Sequence, residues 1–185
     1  SGLMLFAKHG YAHARLDKQL QKKAIEKRYY ALIKGDGHLE PQGEIIAPIA
    51  RDEDSIITRR VAKGGKYAHT EYRVIASYGD IHLVDIRLHT GRTHQIRVHM
   101  AHIAHPLLGD QTYGGRPRPP KNASEDFMEV LRNFKRQALH AVMLRLAHPI
   151  TGEMMEWYAP LPDDFVELLH ALKADYLEHK DELDY

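Results

Sequence analysis

The stretch from Ile81 to Ile103 constrains the fold more than any other part of the chain. From Ile81 to Leu88 the residues alternate. Ile81, Leu83, Asp85 and Arg87 fall on one side, and His82, Val84, Ile86 and Leu88 on the other. A period of two predicts a strand, and Thr90-Gly91 ends it in a turn. Beyond the turn Ile96, Met100 and Ile103 recur at helical spacing, with no Gly or Pro until Pro106. Arg92 therefore sits where strand becomes helix, a position from which a side chain can reach into a cleft. With Arg87 and Arg97 close by, the cleft would attract phosphate or carboxylate.

The rest of the chain reads as further strands with a few helices. Glu26 to Lys34 is predicted as a strand, with the adjacent Tyr29 and Tyr30 facing opposite sides. Residues 43–49 and 55–61 suggest a second sheet region, linked by the basic turn Lys63-Gly64-Gly65-Lys66 to an alternating run from Lys66 to Ile75. That run should pair with 81–88 across Tyr78-Gly79-Asp80. Leu3 to Lys8, short and apolar, reads as a buried strand, and His9 to Ala24 as an amphipathic helix. A helix capped by Ser124, strands at 139–146 and 154–158, and a final amphipathic helix opened by Pro162-Asp163-Asp164 complete the chain.

Composition narrows the function classes. At 185 residues, 43% hydrophobic and 28% charged, the chain fits one globular domain, 1–185, large enough to bury a core. No apolar run is long enough to span a membrane. There is no Cys, which excludes thiol catalysis, disulfides and Cys-based zinc sites, and the expected compartment is cytoplasmic. The net charge of +1 conceals an asymmetry: residues 163–185 carry a net −6. The segment 59–97 holds Arg59, Arg60, Lys63, Lys66, Arg73, Arg87, Arg92 and Arg97 against three acids. A basic middle beside an acidic tail suggests a polyanion held on one face.

Four blocks then resemble a known family in the order that family has them: SGLMLFAK at 1–8, EKRYYALIKG at 26–35, HTGRTHQIRVHMAHIAHPLLGDQTYGG at 89–115 and QALHAVMLRLAHPITGEMMEWYAPLPDDF at 137–165. Together they look like the RluA/RluD-type RNA pseudouridine synthases. The resemblance implies an α+β domain with a mixed, largely antiparallel sheet flanked by helices and an RNA cleft across it. It also implies a reaction in which the N1–C1′ bond of a uridine breaks, the base turns, and the ring rejoins through C5. A carboxylate serves an electron-poor sugar in such chemistry, and an aromatic platform and a cation serve an unstacked nucleotide.

By that resemblance Tyr29 is the base-contacting aromatic and Arg92 the cation that pairs with the catalytic Asp. The Asp itself would lie a few residues upstream of Ser1, together with any small RNA-binding domain. The chain is then expected to be an N-terminally incomplete synthase, inactive by itself. Arg15-Leu16-Asp17 repeats the family's Arg-Leu-Asp signature, but after the SGLMLFA stretch and within a helical pattern, so Asp17 reads as a surface acid. Arg59, Arg60, Lys63, Lys66, His94, Gln95 and Arg97 are expected to support the site or contact RNA. The partner is RNA, ribosomal before transfer, bound by a monomer, and no metal or cofactor is implied. Two other readings stay open: an RNA-binding module without catalysis, and a His-rich metal-dependent phosphodiesterase with a metal bound by His99, His102 or their neighbours.

Overall fold

The computed structural model describes residues 1–115 and 118–183, with side chains to residue 180 at the C-terminus. Arg116 and Pro117 of the Pro-rich basic loop, and Asp184 of the acidic tail, lie outside the described residues. The elements run α1 (Gly10–Gln21), β1 (Glu26–Lys34), β2 (Gln42–Ile46), β3 (Ile49–Arg51), β4 (Arg59–Val61), β5 (His69–Tyr78), β6 (Ile81–Leu88), α2 (Gln95–His102), α3 (Glu125–Asn133), β7 (Leu139–Ala147), β8 (Met154–Tyr158) and α4 (Asp163–Leu183). Six strands form one sheet in the order β2-β5-β6-β1-β7-β8, every neighbouring pair antiparallel, and β3 and β4 form a small second sheet. The architecture is α+β, as the alternating patterns predict.

β1 lies in the middle, paired with β6 on one side and β7 on the other. Its residues Ala31, Leu32 and Ile33 are all fully buried, because both faces of the sheet are covered there. Ala31, Ile33, Val84 and Ile86 pack under α2 through Ile96 and Met100. Leu32 and Leu83 pack on the other face against Phe127 of α3 and Phe165, Leu168 and Leu172 of α4. Full burial of an apolar side chain of this size contributes about 1.5–3 kcal/mol. Tyr29 borders the first cluster and Tyr30 the second, so the two tyrosines do face opposite sides. The acidic tail is also partly structural: Asp175 is buried and accepts the Ser124 amide at 2.6 Å, tying α4 to the start of α3.

Two expectations fail. Leu3 to Lys8 is not a buried strand, and Met4 and Phe6 are each 76% exposed. Residues 1–3 do run along β7, with the Ala141 amide donating to the Ser1 carbonyl (2.9 Å) and the Leu3 amide to the Ala141 carbonyl (3.1 Å). From Met143 onward, however, the same edge of β7 is taken by β8, so the N-terminal segment has no ladder to continue along. The strand expected over 55–61 shrinks to Arg59–Val61. Asp52 draws the preceding residues into a turn, accepting from the Asp54 amide (3.2 Å) and the Thr58 hydroxyl (3.1 Å). Asp17 stands exposed on α1, accepting from Gln21 at 3.1 Å. No helix among the described residues is long and apolar enough to cross a membrane.

Candidate functional site

The turn between β6 and α2 is built around Gln95, which is 2% exposed. Its carboxamide oxygen accepts the Thr90 hydroxyl (2.7 Å) and the Arg92 amide (3.0 Å). Its nitrogen donates to the His69 carbonyl (3.0 Å) and to Thr70 Oγ1 (2.9 Å). All four bonds available to an amide side chain are made, so the turn is locked to β5 at both ends. The chain of bonds goes on inward. Thr70 Oγ1 lies 2.8 Å from His99 Nδ1, and His99 Nε2 lies 2.9 Å from the Ala47 carbonyl. A carbonyl only accepts, so Nε2 carries the proton and Nδ1 receives the Thr70 hydroxyl. Burial holds the His99 imidazole pKa below its ordinary value and outweighs the opposing pull of the Ala47 carbonyl.

Held this way, Arg92 is half-buried and donates from Nε to the Tyr67 carbonyl at 2.7 Å. No acidic side chain among the described residues pairs with it, so its remaining N–H groups are available to an anion. Lys27 approaches the same turn from β1. Its Nζ stands 3.3 Å from where a Cβ on Gly91 would be, so the bare Gly91 lets the ammonium come close. Lys27 and Tyr29 are two residues apart on one strand and share a face. Burial lowers the Lys27 pKa and raises that of Tyr29, whose phenol therefore stays protonated at neutral pH. One small region thus holds Arg92, Lys27 and the Tyr29 ring, the groups a flipped nucleotide and its phosphates require.

The other residues expected to meet RNA divide. Arg97 is not an open cation. Its guanidinium donates to both oxygens of Asp110 (2.9 and 2.8 Å), whose side chain is 0% exposed. Burial pushes the Asp110 carboxyl up, but the Arg97 hydrogen bonds and the Tyr113 and Thr112 amides outweigh it and leave the pKa below its ordinary value. Gln95 likewise makes its hydrogen bonds inside the protein, so the side chains of both residues are engaged by internal partners. Arg59 turns back on the carbonyls of Ile56, Ile57 and Thr58, and Arg60 pairs with Glu53 at 3.0 Å. His94 joins the Tyr113 hydroxyl through Nδ1 at 2.8 Å, with its pKa lowered by burial first and then by Arg97 and Arg59. Lys63 and Lys66 are exposed.

Sequence reasoning missed three contributors. Tyr113 joins α2 to β4, accepting the Arg59 amide at 3.0 Å while its ring lies 5.0 Å from the Arg97 guanidinium. Lys27 carried one available signal, its two-residue spacing from Tyr29. Tyr67, half exposed, had no signal in sequence, because its role depends on the Arg92 contact across the fold.

A cavity of about 730 Å³ lies elsewhere. It opens on the face opposite Tyr29, lined by Arg28, Arg73, Asp85 and Arg87 among others. There the nearly buried Asp85 pairs bidentately with Arg28, and Arg73 stands 3.7 Å away. At the end of this charged face Glu44, His69 and His89 bring ligand atoms within 4.8 Å of one another. The two imidazoles are stacked, however, 4.2 Å apart and 20° from parallel, and each Nε2 is taken by a carboxylate, Glu44 or Glu71. In-plane lone pairs on stacked rings do not converge on one ion. The metallohydrolase reading meets a similar obstacle at His99, which spends both nitrogens internally.

The fold agrees with what is found by comparison. The RNA pseudouridylate synthase family matches residues 1–102, and the chain belongs to that family. Among its relatives, ribosomal large subunit pseudouridine synthase D of Haemophilus influenzae is 66% identical over all 185 residues, and that of Escherichia coli K12 is 51% identical over the same span. The chain spans 56% of the length of each. Two solved human structures have the same fold. RNA pseudouridylate synthase domain containing 4 has a TM-score of 0.65 at 25% identity, over 86% of this chain and 67% of that one. Domain containing 1 has a TM-score of 0.61 at 27% identity, over 91% and 74%.

Proposed function

We propose that this chain supplies the greater part of the catalytic domain of a synthase that isomerises uridines in ribosomal RNA to pseudouridine, in the cytoplasm. The observation that carries the reading is the meeting of the Gln95-locked Arg92 with Lys27 and Tyr29 at one turn, two cations with no paired acid among the described residues, beside an aromatic ring. The names of the relatives favour ribosomal over transfer RNA. In this reading the nucleophilic carboxylate comes from sequence upstream of Ser1. Gly2 bridges Ala141, and Ala141 pairs with Tyr29 on the next strand, so residue 2 lies about two strand spacings, roughly 10 Å, from Tyr29. Arg92 then orders the carboxylate and keeps it ionised, and Tyr29 receives the extruded base.

Tritium release from ribosomal RNA labelled at uridine C5 tests this, with this chain run beside the chain extended by its native upstream sequence. Release from the extended form alone, abolished by Arg92→Ala with the fold intact, is expected. Release from the short chain would overturn the assignment of the nucleophile. Silence from both, with RNA still bound, would favour a binding module.

A further inference from the structure

Resting on the reading of the Arg92 turn as the nucleotide site, we infer that Lys23, Lys27 and Tyr67 form a subsite for the RNA strand beside the target nucleotide, Lys27 holding a phosphate and Tyr67 stacking a neighbouring base. Three observations meet here. Lys27 brings an ammonium, partly withdrawn from water, against the Gly91 turn, and no acid among the described residues neutralises it. A cation placed so loses hydration without gaining a partner, a cost that a bound anion reverses. Tyr67 is 50% exposed, although its backbone is fixed by the bond from Arg92 Nε to its carbonyl. An exposed aromatic ring on an anchored backbone is a platform for a base. Finally, Lys23, at the end of α1, reaches over that ring at 6.0 Å. A base stacked on Tyr67 would lie beside Lys23, and the strand leading from it to the Gly91 turn would meet Lys27, the pattern of a backbone-tracking groove.

The glutamate nearest Lys27 in sequence does not supply the missing anion, since Glu26 on the adjacent position stands toward Arg87 on the opposite face. Phosphate is favoured over a carboxylate because the two lysines accompany an exposed aromatic, which a lone carboxylate would not use.

The experiment is binding of a fluorescently labelled single-stranded oligoribonucleotide to this chain across a salt series. Lys27→Met should reduce the slope of log affinity against log salt by about 0.7, one phosphate contact on a single strand, and Lys27→Arg should restore it. Tyr67→Leu should weaken binding on the order of 5- to 150-fold with the slope unchanged. If Lys27→Met binds with the wild-type slope, the phosphate assignment is wrong, whatever happens to affinity. If it keeps the slope but abolishes turnover in the upstream-extended enzyme, Lys27 serves the carboxylate instead, and the subsite is overturned while the proposed function stands. A wild-type chain that binds no RNA removes the subsite, and tritium release by the extended enzyme then decides the proposed function separately.

Discussion

Replacing Arg97 by Met preserves the length of the side chain and removes its charge from a pair that is almost closed to water. The Asp110 side chain is 0% exposed and that of Arg97 14%, and two hydrogen bonds join them. Removing one partner of a buried pair costs about 3–5 kcal/mol, because the other charge remains without compensation. The Thr112 and Tyr113 amides stay on Asp110, which places the expectation in the lower part of that range, about 3–4 kcal/mol. For a chain of this size each kcal/mol lowers Tm by about 2–4 °C, so Arg97→Met should melt about 6–16 °C below wild type at pH 7.5. The acid dependence gives a second reading. With Arg97 present the Asp110 pKa is depressed, so its contribution is in force above the ordinary carboxylate range and is lost as pH falls through the folded value. Without Arg97, burial prevails, the carboxyl titrates above its unfolded value, and acid relieves the variant. The gap between the two proteins should therefore narrow from pH 7.5 to pH 5, measured by circular dichroism melts. A loss below about 3 °C, or a gap that widens in acid, would refute a structural role for this pair.

Two further outcomes follow from neighbouring features. The neutral, depressed His99 contributes stability that is complete above the ordinary histidine range and declines as pH drops from about 6.5 toward its folded value; urea midpoints at pH 7.5 and 5.5 should therefore fall less in His99→Gln than in wild type, and an equal fall would sink the assignment. Gly109→Ala should destabilise by at least about 1–3 kcal/mol, because φ is +76° and the added Cβ would stand 2.0 Å from the Arg136 carbonyl oxygen; a melt within 1 °C of wild type would count against that packing.

Much of the sheet could be read directly from the chain. The strands at 26–34 and at 81–88 emerge with the bounds their alternation and flanking turns suggest, because local period and turn chemistry suffice there. The N-terminal segment was misread for a reason its own residues do not carry: its ladder is pre-empted by β8, more than a hundred residues further on. The same holds at the site. Tyr29 and Arg92 stand out by position, but the internal partners of Gln95 and Arg97 lie on β5 and after α2, and a charged or amide side chain does not announce whether it meets solvent or a buried acceptor. Lys27 is the converse case, a cation that meets no acid among the described residues, which only the fold can reveal.

The central position of β1 carries a consequence for synthesis on the ribosome. The strand that bears Lys27 and Tyr29 can pair with β6 as soon as the β5–β6 hairpin has emerged, but its other edge waits for β7, which begins more than a hundred residues after β1 ends. At about 5–20 residues per second that interval is on the order of 5–25 s. Throughout it, Ala31, Leu32 and Ile33 sit on an open edge, a ready template for a neighbouring nascent chain. Lys22, Lys23, Lys27 and Arg28, at and just before the start of β1, are charges of the kind that guard such an edge.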